Sequence, residues 1–399
     1  MIKMFSWMTI ILPSIMIPII PGVIEAQPAT TPGDSGKIKE YLKPDEAMIE
    51  YAVTDSSAIV YATSGDSTLL AFQSLSPLFW LAHQSFGRKI KSADPGGITI
   101  PGQILYLYLI KPIRNFITGK KRLIIKADKR LSELPFEALI LPDDGNPGCR
   151  GSAIHYLIQD FEIIYQCMQG FREDGALTKA DDNAQVPEVA QFAFMGFSPV
   201  FYNHAGLSEL PDSKDEIAEI GSLFRQKGLT SWLVYREYSE KEYFKTVVNR
   251  GKIVHLSTHY IQESMNQDGG GFIFYGYNPS LSKVNRNEGV LTIREINGLH
   301  LHADLIVLNA CGSGIAKPDP EGGWQSLPAI FLKAGARNIL STLWNVTDRL
   351  AGDFMINFYR LWLSGKTYGQ ALREVKLQMI NRPETSLPTI WAPYVLTAK

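Results

Sequence analysis

The chain has 399 residues, which is enough for two domains of ordinary size or for one large domain. Its apolar fraction of 45% and charged fraction of 20% are typical of a globular protein and exclude an intrinsically disordered chain. The net charge is −1 and no long run of like charges occurs, so nothing in the charge indicates a nucleic-acid or anionic-membrane partner.

The first 26 residues have the layout of a secretory signal peptide. A lysine near the start is followed by an apolar stretch, and Ala26 provides a small residue before a polar segment. Pro13, Pro18 and Pro21 interrupt the apolar stretch and disfavour a membrane-spanning helix. We therefore expect a periplasmic or secreted protein. The alternative is a wrongly assigned start and a cytoplasmic protein.

Three cysteines, Cys149, Cys167 and Cys311, are too few for a disulfide scaffold. In an exported protein Cys149 and Cys167 would be able to pair and leave Cys311 free, a hypothesis motivated by the odd count. The alternative is that both are ordinary half-buried thiols. Titration of three free thiols in the denatured, unreduced protein would contradict the pairing.

The first part of the chain predicts several strands and a helix. The runs SSAIVYAT and STLLAFQ, separated by the turn-forming SGD, predict a hairpin over residues 56–73. A helix is expected over 105–116, and RLIIKAD (122–128) and DFEIIYQ (160–166) are each expected to form a strand.

Polar segments predict where the chain divides. Residues 27–40, which begin with QPATTPGDSG, are expected to be a linker after the signal. The polar stretch 173–188 is expected to be a second linker, between a first half at 41–172 and a second half at 189–399.

The second half alternates apolar strands with helical segments. Along the chain these are FAFMGF, a helix over 215–227, WLVY, a helix over 239–249, IVHLST, DLIVLNA, a helix around Ala329, NILSTLW, and helices over 348–363 and 368–380. Short strands rich in Ile, Val and Leu between helices predict an α/β fold with a mainly parallel sheet covered on both faces. Ser239 and Glu242 predict a capping box, and Gly365 a helix C-terminus.

Two of these strands end in reactive side chains. KIVHLSTHY leads to His259, and ADLIVLNACGSG carries Cys311. Side chains beyond the carboxyl ends of parallel strands meet at one edge of a sheet, so the imidazole and the thiol are expected to lie close together. An adjacent imidazole converts a thiol into the reactive thiolate. His259 and Cys311 are therefore the candidate general base and nucleophile.

The residues around this pair fit acyl transfer. Gly312 and Gly314 permit a tight turn that lets a substrate backbone approach the sulfur. The backbone N–H groups of Tyr260 and Cys311 are the candidate oxyanion donors. His259 lies 52 positions before Cys311, and caspases place their histidine about 50 residues before the nucleophile.

The pair His255 and His259 also suggests a zinc site. Two histidines four residues apart can bind one metal ion if they lie on one face of a helix. The residues around them predict a strand, in which four residues span about 13 Å, too far for one metal ion. We therefore expect no metal here, and His255 is expected to be a packed or hydrogen-bonded strand residue.

Several motifs in this order resemble those of the CHAT domain family, bacterial relatives of caspases and separase that are often fused to tetratricopeptide repeats. The resemblance covers about residues 42–396. It is carried by RLSELPFEALI (130–140), YLIQDFEIIY (156–165), LPDSKDEIAEIGSLF (210–224), IVHLSTH (253–259), VLNACGSG (307–314), AIFLKAGARNILSTLWNVTD (329–348) and WAPYVL (391–396).

The resemblance implies a caspase-like three-layer α/β/α sandwich over about residues 190–399, preceded by a degenerate, catalytically silent caspase-like half. It implies a cysteine endopeptidase that acts on a protein or peptide through a thioester on Cys311, with His259 as its partner and without a metal or organic cofactor. Glu321 and Asp348 are candidates for a pocket that binds a basic substrate residue; as an alternative, both are solvated loop or helix-start charges.

Three departures from the family pattern leave other functions open. Tyr260 stands where the family has glycine, and Tyr165-Gln166-Cys167-Met168 replaces the family's Y-x-P-S. No tetratricopeptide repeats precede the domain, so a regulatory partner protein is expected to supply them if they are needed. The alternatives are an inactive caspase-like scaffold, blocked by Tyr260, and a transpeptidase or amidase that uses the same dyad.

Overall fold

The computed structural model describes residues 9–12, 15–18, 42–65, 67–92, 97–142, 154–166, 190–200, 207–261, 270–277, 289–310, 312–314, 316–318 and 324–399. Cys149, Cys167, Cys311, Glu321 and the expected linkers at 27–40 and 173–188 lie outside the described residues.

The strands of the described chain are short. They are Thr9–Leu12 (β1), Ile15–Pro18 (β2), Glu46–Val53 (β3), Ser57–Ser64 (β4), Ser67–Ser74 (β5), Arg122–Lys126 (β6), Glu162–Gln166 (β7), Phe192–Ser198 (β8), Ser231–Tyr235 (β9), Gly251–Ser257 (β10), Tyr260–Ile261 (β11), Gly271–Ile273 (β12), Val290–Thr292 (β13), Leu305–Asn309 (β14), Ala316–Pro318 (β15), Trp324–Ser326 (β16), Asn338–Thr342 (β17) and Tyr394–Ala398 (β18).

The helices follow the same chain order. They are Pro77–Lys91 (α1), Thr99–Leu109 (α2), Leu157–Asp160 (α3), Pro211–Gln226 (α4), Lys241–Val247 (α5), Ile293–Asn297 (α6), Leu327–Lys333 (α7), Asp348–Trp362 (α8), Tyr368–Ile380 (α9) and Pro388–Trp391 (α10), with short 3-10 turns at Lys111–Ile113, Lys129–Leu131, Phe136–Ala138, Arg236–Tyr238 and Val248–Arg250.

Most strands belong to one 11-stranded sheet in the order β5-β4-β3-β6-β7-β18-β17-β14-β10-β8-β9. The pairs are parallel except β5–β4, β4–β3 and β18–β17. The C-terminal strand β18 lies between β7 of the first half and β17 of the second half. The two halves that the sequence predicts are therefore continuous in one sheet.

Helices cover both faces of the sheet because its central strands are apolar on both faces. On β10, Ile253 packs into a core that includes residues of α4, α8 and α9, and its neighbour Val254 packs into a second core with residues of α5, α6 and α7. This alternation follows from the two-residue period of a strand. The fold is thus the expected α/β sandwich with a mainly parallel sheet.

Some local predictions differ from the structure. Helix α2 begins at Thr99 rather than at 105 and ends at Leu109, and a 3-10 turn follows that contains Pro112, which cannot continue an α-helical hydrogen-bond ladder. The capping box at Ser239 is wrong: α5 has Glu240 at its N-cap position, without a side-chain cap. The carbonyl of Ser239 accepts a hydrogen bond from Tyr275 N–H instead, next to a bridge between Glu240 and Tyr275.

The apolar N-terminal segment includes the antiparallel pair of β1 and β2. None of the helices in the described part of the chain is long and apolar enough to cross a membrane.

A buried ion pair joins the first half to the second. Lys376 of α9 donates to Glu137 in the 3-10 turn at Phe136–Ala138 over 3.0 Å, and both side chains are at most 1% exposed. The hydroxyl of Tyr165, at the end of β7, also donates to Glu137. Burial outweighs the attraction of the carboxylate and lowers the pKa of Lys376. Each of these three side chains is therefore stable in its buried position only because it contacts the others.

Replacing Glu137 by alanine should lower the free energy of unfolding by about 3–5 kcal/mol, because it leaves a buried ammonium without its counter-ion. Glu133 in the same segment is the matched control. Its bridge to Lys91 is 2.8 Å long but has side chains 36% and 47% exposed, so Glu133→Ala should cost about 0–1 kcal/mol. Urea denaturation of both variants measures the difference, and equal losses would contradict it.

Candidate active site

The register of two central strands ends them at one edge of the sheet, where the candidate site residues are expected. Strands β10 and β14 are parallel neighbours, with Ser257 opposite Asn309. His259 and Cys311 each follow one of these paired residues by two positions in the sequence. The strands therefore end at the same level, although Cys311 itself is outside the described residues.

His259 is half-buried next to the segment that leads into α4. Its Nε2 lies 2.7 Å from the carbonyl oxygen of Ser208. A carbonyl only accepts hydrogen bonds, so Nε2 carries a hydrogen and the neutral ring has its lone pair on Nδ1. Burial lowers the pKa of His259, and the bond to Ser208 offsets this in part. The ring is therefore neutral near pH 7 and able to take up a proton.

Tyr260 has no backbone strain. It begins β11, which pairs with β12, and it is not among the described non-glycine residues with positive φ, which are Val200 and Arg236. Its ring packs on Phe272 with 5.3 Å between ring centroids. The tyrosine at this position is thus accommodated by a strand conformation and by an aromatic contact.

The turn after position 311 is held by the end of β17. Gly312 has φ of 67°, a conformation that favours glycine. Gly314 N–H donates to the carbonyl of Thr342 over 2.8 Å, and the hydroxyl of Thr342 donates to the carbonyl of Ala310 over 2.8 Å. A Cβ atom at Gly314 would lie 3.0 Å from Ser341 Oγ. Glycine at 314 therefore allows a close approach of two chain segments.

A buried carboxylate lies beneath the two strand ends. Glu216 of α4 is 2% exposed and accepts hydrogen bonds from Ser257 Oγ at 2.7 Å and from Asn309 Nδ2 at 3.0 and 3.1 Å. Nε2 of His255 is 3.0 Å from Glu216 Oε1 but lacks the alignment of a hydrogen bond. The other ring nitrogen of His255 is 3.2 Å from Tyr359 Oη.

Sequence reasoning missed the role of Glu216, although a signal exists. The buried face of α4 includes Ile217, Ile220 and Phe224, and Glu216 lies on the same face. A charged residue within an apolar helix face needs a polar partner, and His255 and Ser257 provide polar groups on β10, the second strand after α4. His255 is fully buried, in agreement with its interpretation as a strand residue.

Asp348, a candidate for substrate binding, joins the starts of two helices. It is the first residue of α8, and its Oδ2 accepts the backbone N–H of Asp212 in α4 over 3.0 Å. Burial, followed by the negative charges of Glu216 and Asp212, raises the pKa of Asp348 to about 6. The carboxyl group therefore changes its charge close to neutral pH.

The CHAT domain family model matches residues 99–399. The chain belongs to the CHAT domain family. Two solved structures of the Saccharomyces cerevisiae separase–securin complex are similar to it in fold. In one, the separase match has a TM-score of 0.53 at 11% identity and covers 90% of this chain. In the other, the TM-score is 0.51 at 10% identity and 92% of this chain is covered.

The similarity is limited to part of each separase structure, since this CHAT chain spans 30% and 31% of the two matched chains. At this identity the similarity establishes a fold shared with the caspase-like domain of separase. No curated protein sequence matches the chain significantly.

The raised pKa of Asp348 predicts a pH-dependent stability difference. Because its pKa is about 6 in the folded CHAT domain and 3.8 in the reference state, folding favours its protonated form. We therefore compare the unfolding free energy of the wild type with that of Asp348→Asn. The wild-type value minus the variant value should fall as the pH rises from 3.8 to 6, and it should stay level at higher pH. Urea denaturation across this range tests it, and a constant difference would contradict it.

Proposed function

We propose that the chain is a cysteine endopeptidase in which Cys311 is the nucleophile and His259 is the general base. The observation that carries this proposal is the register of β10 and β14, which ends the two strands at one level. The neutral state of His259 and the tight turn at Gly312 support it. Membership of a family with a caspase-like fold makes peptidase chemistry the expected use of such a pair.

The chemistry follows from these two groups. His259 takes the proton of the Cys311 thiol as the sulfur attacks the carbonyl carbon of a peptide bond. The tetrahedral intermediate collapses, the C–N bond breaks, and the imidazolium gives its proton to the leaving amine. Water, deprotonated by the same imidazole, then attacks the thioester; the C–S bond breaks, the acid is released, and the imidazolium returns its proton to the Cys311 sulfur. The N–H groups of Tyr260 and Cys311 remain the predicted oxyanion donors.

Acidic side chains around the start of α4 favour a substrate with a basic residue before the cleaved bond. Glu209 follows Ser208, whose carbonyl binds His259, and the backbone N–H of Asp212 donates to the carboxyl group of Asp348. Together these carboxylates produce a negative potential near the proposed dyad. Glu321 remains a further candidate for the same pocket.

The alternative of an inactive scaffold rests on blockage by Tyr260. Since the Tyr260 ring packs on Phe272, we favour the enzyme. A transpeptidase or amidase would use the same thioester, and product analysis with added amines separates it from a hydrolase.

A regulatory protein partner and export from the cytoplasm are also part of the proposal.

The first test is the alkylation rate of Cys311 by iodoacetamide against pH, in a protein whose only thiol is Cys311 after Cys149→Ala and Cys167→Ala. The rate should be high at neutral pH and half-maximal below the free-thiol pKa of about 8.5, because the neutral imidazole takes the thiol proton as the sulfur attacks. His259→Ala should slow the reaction and return its midpoint to that of a free thiol.

Two matched variants control this test. His83→Ala removes another half-buried histidine, from α1, and should leave the rate unchanged. Cys311→Ala should abolish labelling while preserving the fold. A slow wild-type rate that does not depend on His259 would contradict the dyad.

Substrate preference is tested with peptide reporters that differ only at the residue before the cut. Cleavage after Arg or Lys should exceed cleavage after Leu, and the preference should grow as the pH rises through about 6, when Asp348 becomes charged. In Asp348→Asn this pH dependence should disappear. A preference for Leu at every pH would contradict the acidic pocket.

A further inference from the structure

The carboxylate of Glu216 connects the two strands that lead to the proposed dyad. One of its oxygens, Oε2, accepts the hydroxyl of Ser257, the last residue of β10, at 2.7 Å. Asn309, the last residue of β14, donates its amide to both oxygens at 3.0 and 3.1 Å. Ser257 and Asn309 are also register partners. One side chain on a helix therefore holds both strand ends at their last paired residues.

Such a group is costly to bury. Glu216 is 2% exposed, and removing a carboxylate from water costs several kcal/mol that hydrogen bonds recover only in part. Apolar residues of similar volume often stabilise a core as well as a buried charged group does. Stability alone is therefore a weak reason for a carboxylate at this position, and the specific alignment of its donors is a stronger one.

The segment that leads into the same helix contacts the imidazole. Ser208, just before α4, accepts the hydrogen of His259 Nε2 through its carbonyl oxygen at 2.7 Å. The start of α4 is in turn joined to α8, since Asp348 accepts the N–H of Asp212. The segment from Ser208 to Glu216 thus contacts the histidine ring and the ends of both strands.

We propose that Glu216 is a positioning residue of the peptidase site, which fixes the end of β10 relative to that of β14 and thereby sets the approach of His259 to Cys311. This inference rests on the proposed function. Glu216 does not touch the substrate or the reacting atoms. It acts through Ser257 and Asn309, each two positions before one member of the dyad.

The charge and both acceptor oxygens of Glu216 are needed for this role. Ser257 donates to one carboxylate oxygen and Asn309 to both, whereas a glutamine is neutral and offers a single acceptor oxygen, so it loses one contact with Asn309 or turns its NH₂ group toward the Ser257 hydroxyl. Glu216→Gln therefore keeps the volume of the side chain and replaces the charge-assisted bridge between the strands by weaker, neutral hydrogen bonds.

The test compares Glu216→Gln with Glu219→Gln. Glu219 lies on the same helix, is 54% exposed and is 3.4 Å from Arg360, so it controls for the chemical change alone. Glu216→Gln should lower kcat about 10- to 100-fold with little change in KM, because a small displacement of reacting groups has effects of this size. It should also slow Cys311 alkylation at neutral pH and move its midpoint toward that of a free thiol. Glu219→Gln should match the wild type in kcat, in KM, and in the rate and midpoint of Cys311 alkylation.

A second variant keeps the test independent of folding. Circular dichroism shows whether Glu216→Gln is folded. If it is not, Ser257→Ala is used instead, because it removes one donor only, and it should change the alkylation profile in the same direction. If both variants fold, combining them should add little to Glu216→Gln alone, since they weaken the same bridge.

The outcomes separate this inference from the proposed function. The first outcome is fast alkylation of the wild type that depends on His259. If folded Glu216→Gln and Ser257→Ala proteins then have the same kcat and alkylation profile as the wild type, the positioning role is overturned and the dyad remains. A wild type with slow alkylation, independent of His259, would overturn both.

Discussion

The parallel pairing of β10 with β14 is the constraint on which the rest of the site depends. Both strands are buried on both faces, with successive residues directed into two different apolar cores. A shift of one residue in either strand would move every side chain to the wrong core, so the register is strongly specified. It follows that the residues after Ser257 and Asn309 leave the sheet at the same level, which gives two loops a fixed common origin.

The first half of the chain supports this arrangement by completing the sheet. Strand β18, the last in the chain, pairs with β17 on one side and β7 on the other, so the sheet is continuous only when both halves are present. The buried pair of Lys376 and Glu137 ties helix α9 to the first half at the same junction. The first half therefore has a physical function, because it covers an edge that would otherwise expose unpaired backbone groups.

Apolar runs made most central strands predictable, and α9 has the predicted bounds. Features that depend on long-range partners were missed. The helical start at Ser239 was wrong because the backbone of Ser239 pairs with Tyr275, and the pairing of β18 depends on neighbours far along the chain. The bridge from Glu216 to two strands was also missed. A single sequence shows that a carboxylate lies on an apolar helix face, but not which donors it meets.

The electrostatics of His259 distinguish two ways in which a histidine activates a thiol. A preformed thiolate–imidazolium pair requires a histidine whose charged form is favoured, whereas burial lowers the pKa of His259 and favours the neutral ring. A neutral ring instead takes the proton during attack, as a general base, and this works only if the imidazole is already aligned with the sulfur. In the proposed dyad, alignment comes from the Ser208 carbonyl on one side and from the strand ends on the other. Because a group that relies on alignment rather than on charge tolerates little displacement, the site needs a rigid connection between the two strands. Glu216, with donors from both strand ends, provides that connection.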